Sequence, residues 1–282
     1  PRCDPCPNRQ LRQDSGHHHR RQLRHRRGHG APEQPGAARS SCRSGRQLLL
    51  TRASQCFEFA RRCPGICILV NYNGGAERAA AVAAKVIELG GEAITCQGSV
   101  ASDADCRRLV DAAVAEWGTV NYLVNNAGTT KGADYNDWDA LTEEDWHTIF
   151  QTNVVGTYQM IRAARPHMVA AGGGSIVNIS SASSRTAQGS SIAYASSKAA
   201  LDNVRQPPRR PLSHHHLSPR RAGCRQLTKG IAKTLAPDKI RMNSVQPGLV
   251  LTPWVERNWR LAERGTTLEE MGEQAAENAP LG

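Results

Sequence analysis

Apolar and polar positions along the chain fall into two alternating patterns. Leu48-Leu49-Leu50-Thr51 and Ile66-Cys67-Ile68-Leu69-Val70 are short continuous apolar runs, as expected of strands buried on both faces of a parallel sheet. Glu92 to Cys96, Val120 to Val124 and Ser175 to Ile179 read as further strands. Between them the apolar residues recur every three or four positions. This predicts a short helical piece at Phe57 to Arg62 and a helix from Ala76 to Leu89, stopped by Gly90-Gly91. A helix from Asp103 to Trp117 has Ser102 as its N-cap, and a long one starts after Thr142 and runs to about Met168. Another opens at Tyr194, and one is expected near Glu269 to Glu277. Strand, helix, strand, helix with glycine-punctuated joins predicts the α/β class: a Rossmann-type doubly wound parallel sheet, as a single domain over residues 47–282.

Two stretches break this pattern. Residues 1–46 carry 11 Arg, no Lys and 3 acids, with little apolar periodicity, and are expected to be a disordered basic tail. Residues 204–226 carry 6 Arg and no acid, and Pro207, Pro208, Pro211 and Pro219 cannot sit inside the helix they interrupt. With that block excised, Leu201, Leu227, Ile231 and Leu235 fall on one apolar stripe. The formal charge of +11 belongs to these two stretches, and the rest of the chain sums to −3. A nucleic-acid or polyanion binder is therefore the weaker reading, since neither stretch offers a reading helix or an aromatic platform. A valine codon begins GT and glutamine can be coded CAG, so Val204 and Gln226 have splice-like ends and this foreign insertion reads as a retained intron, with an ordinary surface insertion as the alternative.

The nine cysteines show no framework, so free thiols and a reducing, cytoplasmic setting are expected. Cys3-x-x-Cys6 lacks a second ligand pair, and no metal site is expected. No run approaches the ~18 apolar residues of a membrane span. The chain begins with Pro1 rather than Met, as a fragment or processed product would.

The candidate chemistry lies in Ser181 and Tyr194-x3-Lys198. Tyrosine and lysine four apart share a helix face, and a serine at the end of a strand faces them. That is equipment for moving a proton at a carbonyl oxygen. Together with Asn125-Asn126-Ala127-Gly128 after a strand, Asn153 within a helix, and Pro247-Gly248-Leu249-Val250-Leu251-Thr252, these residues resemble the short-chain dehydrogenases/reductases. Within that family the likeness is to the 3-oxoacyl-[acyl-carrier-protein] reductase-like group.

The resemblance implies an oxidoreductase moving hydride between a nicotinamide and a ketone or secondary alcohol of 3-oxoacyl, polyketide, sugar or steroid type. It implies Tyr194 as general acid, Lys198 favouring the phenolate and binding the nicotinamide ribose, Ser181 holding the carbonyl oxygen, and Asn153 holding a relay water. Asn126, Ala127 and Gly128 would line the cofactor, and Pro247, Gly248, Val250 and Thr252 would contact its nicotinamide end. Homodimers or homotetramers are implied as well. The turn Asn71-Tyr72-Asn73 has no carboxylate before Glu77, so NADP(H) is preferred over NAD(H).

Four departures stand out. Arg52 and Cys56 occupy places where phosphate-loop glycines belong, and Ser99-Val100 replaces an Asp-Val pair at the adenine. The 204–226 block intrudes after Lys198, and the chain stops at Gly282 where relatives continue into a last strand. These departures favour the alternative of an inactive relative that binds no cofactor. Trp254 and Trp259 would cover the substrate. The spliced transcript is expected to lack residues 204–226, and a spliced message still encoding them would overturn the intron reading.

Overall fold

A computed structural model describes residues 47–50, 65–202, 227–252, 255–256 and 265–277. Six strands form one sheet: β1 (Gln47–Leu50), β2 (Cys67–Tyr72), β3 (Glu92–Gln97), β4 (Tyr122–Asn125), β5 (Gly174–Ile179) and β6 (Ile240–Val245). Their order is β3-β2-β1-β4-β5-β6, and every pairing is parallel. This is the Rossmann-type arrangement expected from the alternation of elements. The order reverses between β1 and β4, which opens a crevice at the carboxyl ends of the strands.

Alternation along the strands sorts the core into two layers. Leu69, Ile94, Leu123 and Ile176 pack with α2 (Asp103–Trp117) and with α4 (Gly156–Ala170). Ile68, Val70, Ala93, Val124 and Ile179 pack with Ala79, Val82, Ala83 and Val86 of α1 (Ala76–Glu88). Gly156 lets α4 pass close over the end of β3, because a Cβ there would stand 2.8 Å from the Val100 carbonyl oxygen.

Helix starts follow the capping chemistry. The Ser102 side chain accepts from the Asp105 amide at the head of α2. Thr142 and Asp145 form a reciprocal capping box before α3 (Glu143–Phe150). The long helix expected here is interrupted by a π-helical turn, Gln151–Val155, before α4 resumes it. Then come the short α5 (Ser183–Thr186), α6 (Ile192–Leu201), α7 (Leu227–Leu235) and α8 (Leu268–Glu277).

Two expectations need correction. Strand β6 was not foreseen: only Ile240 and Met242 of it are buried, so its apolar signal is short. Cys96 is disulfide-bonded, whereas Cys67 and Cys106 are free, so the thiols are not all free. Residues 1–46, Phe57 to Arg62, Arg52, Cys56, residues 204–226, Trp254 and Trp259 lie outside the described residues. Among the described residues no helix is long and apolar enough to cross a membrane.

Three aspartates tie helix starts to neighbours. Arg162 and Arg107 hold the Asp103 carboxyl below the usual range, and the Ser99 amide and Arg108 do the same for Asp105. Lys131, 2.6 Å away, helps bring Asp145 to about 2. Carboxylates lowered by folding stabilise the fold above their ordinary range, and that stability is lost as pH falls through the folded values. Thermal melts should therefore be flat from pH 7 to 5 and decline below about pH 4, less steeply in high salt. A Lys131→Ala chain should show a weaker decline.

Candidate active site

The loops after β4, β5 and β6 furnish the crevice, together with the helix that β5 leads into. The Ser191 side chain caps α6 by accepting from the Tyr194 amide at 3.3 Å, which fixes Tyr194 in the first turn and Lys198 one turn later. Lys198 is 4 % exposed. Its Nζ donates to the Ile179 carbonyl at the end of β5 (2.9 Å) and lies 5.7 Å from the centroid of the Tyr194 ring. From the β4 side, a Cβ built on Gly128 would stand 3.5 Å from that Nζ and 3.3 Å from Asn153 Oδ1. Gly128, Asn153 and Lys198 thus converge, and the absence of a side chain at 128 makes room for them.

Asn153 lies in the π-helical turn and is fully buried. Its Nδ2 donates to the Thr129 carbonyl (3.0 Å) and to Ser197 Oγ (2.9 Å), while its Oδ1 accepts from the Thr129 amide (2.8 Å). Ser197 Oγ donates in turn to the Tyr194 carbonyl (2.7 Å). The side chain braces the β4 loop against the tyrosine helix, with both amide protons spent on protein groups. Ser181 Oγ donates to Ser183 Oγ (3.0 Å) and accepts from the Ser183 amide (3.2 Å). Ser183 is close to the tyrosine: a Cβ on Gly189 would stand 2.5 Å from Ser183 Oγ and 3.9 Å from Tyr194 Cδ1.

Residues 56–217 match the short chain dehydrogenase family. The chain belongs to that family. Over 167 residues it is 38 % identical to a protein of Streptomyces violaceoruber named as ketoacyl reductase 2 of the granaticin polyketide synthase, covering 59 % of this chain and 57 % of that one. A 3-oxoacyl-[acyl-carrier-protein] reductase of Staphylococcus aureus is 28 % identical over 67 % of this chain and 66 % of its own. The chain thus spans less than two thirds of either relative. A crystal structure named as a short-chain dehydrogenase/reductase from Burkholderia xenovorans superposes with a TM-score of 0.62 at 28 % identity, covering 73 % of this chain and 78 % of that one.

Among this family member's other candidates, Asn71 is reassigned. It is buried, and its Nδ2 donates to the carbonyls of Gly98 (2.8 Å) and Cys96 (3.3 Å), so it closes the ends of β2 and β3 rather than facing the crevice. Tyr72 is half-buried and Asn73 exposed beside it. The Ser99 amide donates to Asp105 Oδ2 (2.9 Å) and Val100 is buried, so a carboxylate from α2 organises this turn. Asn126 and Ala127 are half-buried on the path to Gly128. Pro247 and Thr252 are half-buried, Gly248 and Val250 exposed, and the Pro247 carbonyl accepts from the Ala182 amide (2.9 Å), which sets this loop beside Ser181.

Sequence reading missed Arg78. A Cβ on Gly75 would stand 2.5 Å from Arg78 Nη2, so the guanidinium folds over Gly75 at the carboxyl end of β2. The signal was available: Arg78 is three residues beyond Gly75 at the start of α1, close to one helical turn. Tyr135, whose burial raises its phenol, was also unforeseen; it donates to the Ser191 carbonyl (3.1 Å) and steadies the cap of α6.

Gly128→Ala should crowd Lys198 and Asn153 at an overpacking cost of about 1–3 kcal/mol. A drop in melting temperature on the order of 2–10 °C is expected. A variant melting at or above the wild-type temperature would contradict the convergence described.

Proposed function

We propose that this chain is an NADP(H)-dependent oxidoreductase acting on a ketone or secondary alcohol, of the 3-oxoacyl, polyketide, sugar or steroid kind. The observation that carries it is the buried Lys198 ammonium, fixed between the Ile179 carbonyl, the Tyr194 ring and the bare backbone of Gly128. The names of the ketoacyl and 3-oxoacyl reductases among its relatives favour the same substrate class.

The residues along the crevice fit a nicotinamide dinucleotide. Gly128 brings bare backbone beside Lys198 and Asn153 near the end of β4, and the Pro247–Thr252 loop adjoins Ser181. When bound, the nicotinamide supplies the hydride to the carbonyl carbon, or takes it back in the reverse direction. Tyr194 gives its phenolic proton to the oxygen left with the negative charge. The Lys198 ammonium alongside favours the resulting phenolate. Ser181 donates a hydrogen bond to the carbonyl oxygen and stabilises charge as it develops there. Asn153 would hold a relay water near Lys198, and its side chain keeps Thr129 and the tyrosine helix in register.

For the cofactor, the Arg78 guanidinium at the end of β2 suits a 2′-phosphate, and no carboxylate of the Asn71-Tyr72-Asn73 turn repels it. Asn126, Ala127, Val100 and Ser99 would line the adenosine half, with Lys198 on the nicotinamide ribose. A cytoplasmic homodimer or homotetramer is the setting we assign.

Nicotinamide fluorescence and absorbance test this with NADPH and NADH against a panel of ketones. Tyr194→Phe should lower kcat by roughly 10²–10⁴-fold while leaving NADPH binding in place. Arg78→Ala should weaken NADPH roughly 10-fold or more and leave NADH unchanged, as loss of a charge-assisted contact predicts. No binding by the wild-type chain at millimolar cofactor would favour the inactive relative instead.

A further inference from the structure

Asp202 closes α6 and is a buried carboxylate that the proposed reaction does not use. Four neutral donors converge on it. Oδ2 accepts from Ser180 Oγ (2.7 Å), Gln246 Nε2 (2.6 Å) and Ser184 Oγ, and Oδ1 accepts from Ser244 Oγ (2.6 Å). An ionised carboxylate is an acceptor with about four lone-pair sites, so it matches this donor set, whereas an asparagine would bring two donors of its own.

The four partners come from three places that the site needs in register. Ser180 and Ser184 flank Ser181 on either side. Ser244 is in β6, and Gln246 immediately precedes the loop that starts at Pro247. Asp202 itself is held to the lysine helix, its amide donating to the Lys198 carbonyl (3.1 Å). Ser180 Oγ reaches that same carbonyl (3.1 Å). Backbone bonds from Ser180 to Val245 and from Ala182 to Pro247 run alongside (2.8 and 2.9 Å). They align the serine segment with the β6 loop but do not reach α6.

We propose that Asp202 is a positioning residue, a clamp that fixes the Ser181 segment and the Pro247–Thr252 loop against the helix bearing Tyr194 and Lys198. Its effect on turnover rests on the reductase reading; the clamp itself does not.

The test uses the full chain with Asp202→Asn, and with Gln246→Ala and Ser244→Ala, which each remove one donor if the first variant folds poorly. Hydrogen exchange followed by mass spectrometry should show exchange rising roughly tenfold or more in residues 180–186 and 244–252, with α1 and α2 unchanged. In the folded protein, kcat should fall roughly tenfold or more, with a much smaller change in the ketone KM. Unchanged exchange in those two segments overturns the clamp. Raised exchange with kcat within twofold of wild type leaves Asp202 merely structural and overturns the positioning role. A wild-type chain that binds no nicotinamide overturns the reductase reading, and the exchange data still decide the clamp.

Discussion

An ammonium group withdrawn from water must be solvated by the protein, and most of the site is arranged around that need at Lys198. The Ile179 carbonyl sits at the last residue of β5, where the strand gives way to the turn that carries Ser181. Gly128 is bare because the lysine and Asn153 occupy the space a side chain would take. Asn153 reaches Thr129 and Ser197 together because a π-helical turn carries it, a distortion that helices commonly keep for functional positions. Ser197 then passes the constraint on to the Tyr194 carbonyl. A single buried charge thus sets demands on β4, β5, α6 and the junction of α3 with α4.

The sheet makes those demands compatible. With all pairings parallel, every strand ends on the same side, so loops distant in sequence open into one crevice. Apolar burial on both faces fixes the strand ends firmly enough for side chains to meet at hydrogen-bond distances. Polar residues then join the ends laterally. Asn125 Nδ2 donates to Asn178 Oδ1 (2.9 Å) and Asn178 Nδ2 to Thr228 Oγ1 (3.0 Å), linking β4, β5 and α7 beneath the site.

Much of this was legible in the chain because periodicity reports burial directly. The continuous run Ile66 to Val70 and the stripe in Asp103 to Trp117 gave elements whose limits shift by two residues at most. Strand β6 was less legible because it buries apolar side chains only at Ile240 and Met242, while Val245 is exposed. The pairing of Tyr194 with Lys198 follows from helix geometry alone. What Asn71 faces does not, since a strand-end amide can turn to the crevice or to its neighbour, and only the β3 carbonyls decide it. Asp202 was hidden for the same reason: its four side-chain partners are brought together by the fold rather than by spacing.

The ends of α6 and α7 meet in space although residues 203–226 separate them in the chain. The Thr228 hydroxyl, in the first turn of α7, donates to the Leu201 carbonyl in the last turn of α6. Leu201, Asp202 and Thr228 are all buried. The last turn of α6 and the first turn of α7 therefore meet in the core, and the length-dependent entropy cost of joining two neighbouring points by a chain grows only as the logarithm of its length, on the order of 3 kcal/mol for about two dozen residues. Each flank has its own anchor: Asp202 holds the outgoing end through four donors, and Thr228 holds the incoming end through Asn178 and Leu201. Both anchors run to the ends of β5 and β6, so the helix bearing Tyr194 and Lys198 is tied to the strand ends that carry Ser181 and Pro247.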